Sequence, residues 1–556
     1  MIGLNKIGLN QVQLNRLHLN APFPAYGKMA GGGGSGDGFP QLPGDVTRWH
    51  FGGLTNEMMA AIDDPRIEDA DHKGRFLSFK NFAWKEGSGI SDVYPGALVF
   101  DGVDDYGVCE NFPILTKEKG YTVVALRQWI TYNPNAISAI ATNASDQSFN
   151  GAFTFENYNK GAEQTISYGA TQISLQYSKS PFSWQTTSKY NGVNIANGNK
   201  DATNSLVLGR SYPQRNDFAN FAIWELVFLD HDATEEELTK IKDYFVKTYP
   251  WLFFDQAWTV TGKTNEDEDR ATIANITGNG NDLVLSNFGF AEGSGYGLYA
   301  QNYISYAITN RAVYTKTNSS IHVTKSITAG VNFTESARDV TIPSYRIKVT
   351  GIQSGQEMIY RGSNNTFLTN IPSDGIYVLP AVENGSNLGF QFVSYTGDCD
   401  ITIEQIPEYE GYLVTDGVDD SGRAVGLTIS KDFTLVGEWI LFSKTSVNAG
   451  LSIHPQIHIF NRPEAIQIVF RTAGKTLPVK SLKAICSDGR CYDENWSELK
   501  INVGEFTDNK GVLFVASNGT NYAQIAFKNL GIYDNHILSK DDCIKAYNYL
   551  QTLKAK

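Results

Sequence analysis

Long apolar segments and clusters of basic residues are both missing from this sequence of 556 residues. A run of about 18 apolar residues, which a membrane-spanning helix needs, does not occur. Acidic residues outnumber basic ones by 59 to 46, and no Lys/Arg cluster interrupts the net charge of −13. Phosphate backbones and anionic membranes attract positive surfaces, so we expect neither nucleic-acid nor membrane binding. The N-terminus also lacks a basic-then-apolar secretory signal, so we expect no signal-dependent export.

Cysteine is scarce, with residues Cys109, Cys399, Cys486, Cys491 and Cys543 only. Cys486 and Cys491 flank a Ser-Asp-Gly-Arg sequence that is typical of a hairpin turn. Two thiols facing each other across a hairpin can form a disulfide in an oxidising medium, and free thiols are the alternative. No His or Cys pair completes a metal-ligand set around them, so we expect no metal site there.

Aromatic residues and glycine are plentiful instead. Aromatics make up 12% of the chain and glycine accounts for 52 residues, whereas only 19% of the residues are charged. This composition is typical of a globular, strand-rich protein. The length predicts roughly three or four domains, since one hydrophobic core does not grow this large.

A ten-residue phrase occurs twice. Leu-Val-Phe-Asp-Gly-Val-Asp-Asp-Tyr-Gly at 98–107 returns as Leu-Val-Thr-Asp-Gly-Val-Asp-Asp-Ser-Gly at 413–422. Each copy runs from a short apolar segment into an Asp-Gly turn, which predicts a strand followed by a loop. The chain therefore contains an internal duplication.

Two further matches define the duplicated unit. Residues 49–57 match 258–266, and 81–89 match 287–295. The spacing between matching residues then increases sharply at the ten-residue phrase, which indicates an insertion in the second copy only. We therefore predict five parts: an anchor at 1–21, a Gly/Pro-rich linker at 22–48, a first sandwich at 49–252, a second sandwich at 253–298 and 411–556, and an inserted sandwich at 299–410.

Both copies are predicted to end in a strand followed by a capped helix. Thr234 and Ser539 are good N-cap residues, and acidic residues follow them where the helix dipole favours negative charge. The segments between these landmarks alternate apolar and polar residues and are separated by Asn/Gly/Ser turns, as in antiparallel sandwiches. The expected fold class is all-β.

A shorter repeat, with a period of five residues, fills the first twenty positions. Each unit has apolar residues at its first and third positions and asparagine at its fourth. Because the period is odd, the apolar residues of successive units fall on alternate faces of a straight strand. A helix does not place them on one face either. A chain that turns a corner in every unit, as in pentapeptide-repeat solenoids, keeps them on one side.

Four such units make only about one coil, which cannot bury its own apolar side without neighbouring repeats. We therefore expect this segment to dock on a partner or on the same segment of other subunits. A disordered tail is the alternative. The predicted anchoring residues are Ile2, Leu4, Asn5, Ile7, Leu9, Asn10, Val12, Leu14, Asn15, Leu17, Leu19 and Asn20.

The two duplicated copies resemble laminin-G-like or concanavalin-A-like jelly-roll domains. The resemblance is carried by the phrase at 98–107, the strand-rich middle and the closing strand with its acidic helix from Thr234 and from Ser539. It implies two jelly-roll β-sandwiches, the second interrupted by a sandwich of immunoglobulin-like size. Such sandwiches host lectins, glycosidases and structural modules, so the fold alone does not determine a function.

The order of anchor, tether, tandem sandwiches and insert resembles virion appendage proteins, which are head fibres or tail fibres, of tailed phages that infect gut Bacteroides-type bacteria, including crAss-like phages. The resemblance implies assembly in the host cytoplasm, attachment to capsid, portal or tail proteins, and a homo-oligomer. We expect no cofactor.

Acidic residues of the repeated phrase are the candidate metal ligands. Asp101, Asp104 and Asp105, together with Asp416, Asp419 and Asp420, offer the oxygen ligands that Ca²⁺ prefers. Asx residues in tight turns usually bond their own backbone, however, so we interpret the phrase as a structural turn and expect no bound metal.

Catalysis is not expected, and no catalytic residue is assigned. The Glu-x-Asp-x-x-Glu string of the related retaining glucanases is absent, as are His-Glu-x-x-His, Gly-x-Ser-x-Gly and a Walker loop. Sugar binding is the remaining chemistry, because exposed aromatic rings stack on pyranose faces. Trp184 and Trp496 are the two tryptophans in polar surroundings that indicate loops, and they are the candidate glycan-contact residues.

The sequence thus predicts a non-enzymatic virion component that attaches through its N-terminal repeat and displays β-sandwiches. Host-surface glycans are the expected contact, with oligomerisation raising avidity. A secreted or surface carbohydrate-binding adhesin is the main alternative, and a polysaccharide depolymerase is the third.

Overall fold

The computed structural model describes residues 38–555 with interruptions, the longest of which are 143–152, 157–171, 189–205 and 328–339. Regular structure in the described residues is mainly β-strand, with a few short helices. The predicted all-β class is confirmed.

The first sandwich contains two sheets. Its strands β1–β13 are Val46–His50, Arg66–Glu68, Phe76–Lys80, Gly89–Ser91, Ala97–Asp101, Tyr106–Cys109, Thr122–Thr131, Ser138–Thr142, Phe153–Glu156, Gln172–Lys179, Ser183–Ser188, Leu206–Leu208 and Asn220–Leu229. One sheet has the order β11-β10-β7-β13-β5-β4, with β1 also paired to β13, and the other has the order β2-β3-β6-β12-β8-β9. Neighbouring strands are antiparallel, as in the long β7–β13 pair.

Alternation explains which residues of these strands face the core. In β3, Leu77 and Phe79 are buried and their neighbours are not, as expected for a strand with one face towards the core. In β13, by contrast, every residue from Phe221 to Leu229 is buried. Strand β13 is therefore covered on both faces.

The chain then forms four strands of the second sandwich, followed by the strands of the insert. Strands β14–β17 are Gln256–Thr259, Thr272–Ile273, Leu283–Ser286 and Gly295–Tyr296. Strands β18–β27 are Ala312–Lys316, Ser320–Ser326, Val340–Ile342, Tyr345–Thr350, Met358–Arg361, Phe367–Ile371, Gly375–Leu379, Val382–Gly385, Gly389–Phe392 and Gly397–Gln405. The insert strands pair in the orders β18-β19-β27-β21-β24, β20-β25 and β23-β22-β26 around a core of their own.

The remaining strands complete the second sandwich. Strands β28–β39 are Leu413–Val414, Ser421–Ile429, Phe433–Leu441, Asn448–His454, Ile457–Arg462, Ala465–Phe470, Ala473–Leu477, Leu482–Cys486, Arg490–Asp493, Glu498–Lys500, Asn509–Val515 and Ile525–Asp534. One sheet has the order β17-β28-β39-β30-β35-β36-β37, with β14 on β39, and the other has the order β15-β16-β29-β38-β31-β32-β33-β34. Strands from both sides of 299–410 thus share each of these sheets.

Helices α1, α2 and α3 are Asn56–Ala60, Glu235–Thr248 and Lys540–Thr552, and a 3-10 turn covers Pro250–Leu252. The predicted N-caps are confirmed. Thr234 forms a capping box with Glu237 at the start of α2, and the Ser539 side chain accepts the Asp542 N–H at the start of α3. Both pairs satisfy backbone groups that a helix end leaves without partners.

A continuous apolar layer lies between the two sandwiches. It contains residues of β13, α2 and the 3-10 turn together with residues of β30, β35, β39 and α3. Trp224 of β13 meets Tyr549 of α3 edge-to-face at 6.1 Å, and both side chains are buried. The Tyr533 hydroxyl donates to the Trp251 carbonyl at 2.7 Å across the same layer. We call this the shared middle layer.

The described end of the predicted linker belongs to this packing. Linker 22–48 was expected to be a flexible tether, yet β1 begins at Val46, and Phe39 packs edge-to-face on Tyr244 of α2 at 5.0 Å. Arg48 lies over the Phe39 ring and pairs with the buried Glu225 carboxylate at 2.6 Å. From Phe39 onwards this stretch is therefore packed against the first sandwich.

Candidate functional site

The first copy of the repeated phrase forms a turn that its own side chains close. The Asp101 carboxylate accepts the N–H groups of Val103 at 2.7 Å and Asp104 at 3.2 Å. The Asp105 carboxylate accepts the Asp101 N–H and the Ser88 hydroxyl, each at 3.0 Å. Residues 81–90 and 101–105, which these bonds join, are called the first rim loop.

The second copy, residues 287–296 and 416–420, is called the second rim loop and repeats this pattern. Asp416 accepts the Val418 N–H at 2.7 Å, and Asp420 accepts the Asp416 N–H at 2.9 Å. Ser294 donates to Asp420 at 3.0 Å. The same residues therefore make the same contacts in both sandwiches.

An asparagine near the start of each duplicated unit forms hydrogen bonds to the rim loop of that unit. Asn56 accepts from the Ile90 N–H and donates to the Ile90 carbonyl, both at 2.7 Å. Asn265 makes the equivalent pair of bonds to Tyr296 at 2.7 and 3.2 Å. Sequence reasoning found all the repeated segments but did not place them together. The repetition of Asn56 as Asn265, and of Ser88 as Ser294, was the signal that could have identified them.

The buried carboxyl groups of the rim loops are unusual acids. Burial raises the pKa of Asp105 to about 7, against the lowering effect of the Asp101 N–H and Ser88 hydroxyl bonds. Burial likewise raises the pKa of Asp420. Both effects follow from removing a charged form from water.

The carboxylates of each rim loop lie as close together as the ligands of a metal site, but they accept hydrogen bonds from their own backbone. Carboxylate oxygens of Asp101, Asp104 and Asp105 lie within 4.8 Å of one another, as do those of the second cluster. Backbone N–H groups donate to one carboxylate oxygen of Asp101 and to one of Asp105, and the Ser88 hydroxyl donates to the other oxygen of Asp105. The geometry is that of an Asx turn, which stabilises the loop itself.

The two candidate glycan-contact tryptophans lie in different secondary structure. Trp184 lies on β11, paired with Ser178 of β10, and not in the loop that the sequence predicted. A strand position is compatible with its polar neighbours because alternate residues of a strand can face solvent. Trp496 lies in the predicted loop, between β36 and β37, with a left-handed backbone conformation of φ 61°.

Trp496 is half-buried and is held by neighbouring rings. Its ring lies 6.1 Å from that of Tyr492 and 5.6 Å from that of Tyr547 on α3. The Lys483 ammonium lies 5.4 Å from the Trp496 ring centre and 4.7 Å from that of Tyr547. Trp496 thus joins the edge of the shared middle layer to a charged surface.

That surface continues across β35, β30 and β39. The Glu438 carboxylate accepts the Tyr412 hydroxyl and pairs with Lys528 at 3.2 Å. The Tyr547 hydroxyl also bonds to Glu438. We call this group the Glu438 cluster, which consists of Tyr412, Glu438, Lys483, Trp496, Lys528 and Tyr547.

The tyrosines of the Glu438 cluster are firmly protonated. Burial, and then the bond to Glu438, raise the pKa values of Tyr412 and Tyr547 above the usual range. In the other copy, the position equivalent to Lys528 is Trp224, which is buried in the shared middle layer. The duplicated strand therefore carries a packing residue in one sandwich and a charged, half-buried residue in the other.

The hairpin containing Cys486 and Cys491 is present, but its thiols do not face each other. Cys491 packs in the core between the two sheets of the second sandwich, and Cys486 packs in the shared middle layer. Ile485, not Cys486, is the register partner of Cys491, so the two cysteines point to opposite faces of the sheet. All five cysteines are free thiols, so of the two alternatives that the sequence leaves open for Cys486 and Cys491, the disulfide is excluded.

All the predicted anchoring residues, from Ile2 to Asn20, lie outside the described residues. In the described part of the chain, no helix is both long and apolar enough to cross a membrane.

The sequence matches no protein-family model and no curated protein. Among solved structures, a Trypanosoma rangeli sialidase in complex with sialic acid has a TM-score of 0.25 and 9% identity over 36% of this chain and 32% of its own. The binding domain of botulinum neurotoxin DC, in complex with rat synaptotagmin II, has a TM-score of 0.22 and 8% identity over 82% of this chain and 90% of its own. The match spans about a third of the sialidase chain. Likenesses this weak carry no argument about function.

Proposed function

We propose that this chain is a structural component of a tailed-phage virion, a head fibre or tail fibre, which attaches through residues 1–21 and displays its sandwiches. It works by attachment and display and not by catalysis. Its partners are capsid, portal or tail proteins, and further copies of itself.

One observation carries this proposal, namely that a short apolar repeat precedes two sandwiches that pack on a shared layer. The repeat has apolar residues in every unit but too few units to form a core. The shared middle layer, with Trp224 against Tyr549, joins the two sandwiches into one body. A repeat that docks on a partner and two sandwiches that pack together would suit a component that is attached at one end and displays the rest.

Deletion of residues 1–21 tests the proposed attachment. Particles assembled with the truncated chain are expected to lack it, while the purified truncated chain keeps the circular dichroism and melting temperature of the full chain. Replacing residues 22–37 with a Gly/Ser sequence of equal length is the matched control, and it is expected to leave incorporation unchanged. Normal incorporation of the truncated chain would refute the proposed role of the repeat.

Host-surface glycans are the proposed contact of the displayed surface, and the Glu438 cluster favours this. It combines aromatic rings, which pack on sugar faces, with a carboxylate and two ammonium groups, which bond to sugar hydroxyls. Each such contact is expected to be weak, and an oligomer would multiply it.

A glycan array with the intact protein tests this contact. Glu438→Gln, which keeps the side chain's shape, is expected to reduce the signal at least tenfold, and Trp496→Ala to abolish it. Lys500→Gln, a change at a side chain that is 80% exposed on β37, is the control and is expected to have no effect. A signal that persists in both cluster variants places the contact elsewhere, and the Trp184→Ala variant then tests the remaining candidate.

The array and the particle assay together separate this proposal from its main alternative. Glycan binding together with normal incorporation of the truncated chain would favour a surface adhesin.

A further inference from the structure

Two buried thiols meet where α3 packs on the second sandwich. The Cys543 side chain, in the first turn of α3, contacts the Cys486 side chain at the end of β35. Both side chains are 0% exposed and lie in the shared middle layer. Cys109 and Cys399 belong to other cores, and Cys491 lies on the opposite face of the sheet.

We propose that Cys486 and Cys543 form a disulfide under oxidising conditions and thereby lock α3 onto the second sandwich. The proposal concerns only this joint and does not depend on the function proposed above.

Hydrogen bonds tie the segment just before α3 to β30 and β36, the two strands on either side of β35. The Thr434 hydroxyl accepts the Leu538 N–H at 2.9 Å and lies 3.9 Å from the Cys486 sulfur. The Arg490 guanidinium donates to the Leu538 carbonyl at 3.1 Å. The residues just before α3 are thus bonded to the two strands that flank β35.

The electrostatics distinguish the two sulfurs. The hydrogen bond from Cys543 and the positive charge of Arg490 lower the pKa of Cys486, whereas the pKa of Cys543 is raised. Because the thiolate is the attacking species in disulfide exchange, Cys486 is the first nucleophile.

The oxidant is a low-molecular-weight disulfide, R–S–S–R. The Cys486 thiolate attacks one of its sulfurs, the S–S bond of the reagent breaks, and one RS⁻ leaves. Cys543 then loses its proton and attacks the Cys486 sulfur of the mixed disulfide, which expels the second RS⁻. Two electrons pass from the protein thiols to the reagent, and the two protons end on two molecules of RSH.

We infer that a reagent reaches these buried sulfurs when the first turn of α3 opens. A cleft of about 400 Å³ lies between α2 and α3, and its lining includes Leu538 and Asp542, the latter adjacent to Cys543 in sequence. Helix ends open more readily than the middle of a sheet. Opening at this turn would bring the reagent from the cleft to Cys543 and Cys486.

Peptide mapping of the full-length protein tests the pairing directly. After incubation with oxidised glutathione, remaining thiols are alkylated, and the protein is digested with trypsin without reduction. Cleavage after Lys483, Arg490, Lys540 and Lys545 places Cys486 in peptide 484–490, Cys491 in peptide 491–500 and Cys543 in peptide 541–545. We expect peptides 484–490 and 541–545 to be linked and to separate on reduction.

The locking effect is measured by the melting temperature. Closing a loop of this length is expected to raise it by roughly 5–10 °C in the oxidised protein. Cys543→Ser is expected to lose both the link and the shift. Cys491→Ser is the matched control, because its thiol is on the same hairpin but the wrong face, and it is expected to keep both.

The mapping of the wild-type protein does not depend on whether any variant folds. Peptides 484–490 and 541–545 found only in alkylated form, or 484–490 linked to 491–500, would overturn the proposal. Linked peptides without a rise in melting temperature would refute the lock.

Discussion

The Ser88 hydroxyl donates a hydrogen bond to the buried Asp105 carboxylate at 3.0 Å, and Ser294 and Asp420 repeat this contact at the same distance in the second sandwich. Both contacts join a hairpin to the turn of the duplicated phrase. The contact is therefore a common feature of the two duplicated units.

Removing this hydroxyl is expected to destabilise the first sandwich. Ser88→Ala leaves a buried carboxyl oxygen without its donor, which costs about 1–3 kcal/mol of unfolding free energy. Ser294→Ala should have an effect in the same direction in the second sandwich. Urea denaturation measures both, with Ser286→Ala at an exposed strand position of β16 as the control. A loss no larger than that of the control would show that the hydroxyl is dispensable.

The stability of the first sandwich is expected to depend on pH through Asp105. Its pKa is raised by burial from 3.8 to about 7 in the folded protein, so the folded state holds this proton more tightly than the unfolded chain. The stabilisation is complete below pH 4 and is lost as the pH rises through 7. Asp105→Asn mimics the neutral acid and cannot titrate. The unfolding free energy of the wild type minus that of Asp105→Asn should therefore be larger at pH 4.5 than at pH 8, and an unchanged difference would contradict the shift.

The cap of α2 is expected to contribute measurably to stability. Thr234→Ala removes the acceptor of the Glu237 N–H and breaks the capping box, at a cost of about 1 kcal/mol. Thr239→Ala is the matched control within the same helix, because its exposed hydroxyl bonds only to the Glu235 carbonyl. Thermal unfolding should show a lower melting temperature for Thr234→Ala than for Thr239→Ala, and equal values would argue against the cap.

The contact between Trp224 and Tyr549 is expected to couple the two sandwiches. Trp224→Ala opens a cavity in the shared middle layer and should cost roughly 3–5 kcal/mol. Because the two rings touch, Trp224→Ala and Tyr549→Ala should be non-additive by about 0.5–3 kcal/mol in a double-mutant cycle.

The matched control for this coupling is Trp258→Ala. Trp258 is also fully buried, but it belongs to the core between the sheets of the second sandwich. Its effect should add to that of Tyr549→Ala. Calorimetry should also show the two sandwiches unfolding together in the wild type and separately in Trp224→Ala. If the effects of Trp224→Ala and Tyr549→Ala were additive, their contact would not couple the stabilities of the two sandwiches.

Local patterns made several features predictable. The all-β class follows from alternating strands, and the caps at Thr234 and Ser539 follow from side chains that bond only a few residues away. The Asx turn at Asp101 is equally local. Hairpin 482–493 was also predicted from its turn residues.

Other predictions depended on register and were less secure. The sequence leaves open whether Cys486 and Cys491 are bridged, and an offset of one residue in the hairpin register places their thiols on opposite faces. Trp184 is expected in a loop and lies on a strand, because polar residues occur in the strands of hairpins as well as in loops. A shift of one residue reverses every side chain of a strand, and the sequence of a single hairpin does not specify that shift.

By itself, the sequence determined the duplication, the insertion, the fold class and the helix caps. The fold class and the caps depend on residues that are neighbours along the chain, and the duplication and the insertion are visible from repeated segments. Only the tertiary structure decided that the repeated segments meet in the rim loops, that Cys486 faces Cys543, and that Trp224 packs on Tyr549. These contacts join residues far apart in the chain. They depend on which faces of the two sandwiches are buried against each other, and the pattern within one strand carries no information about its distant partner.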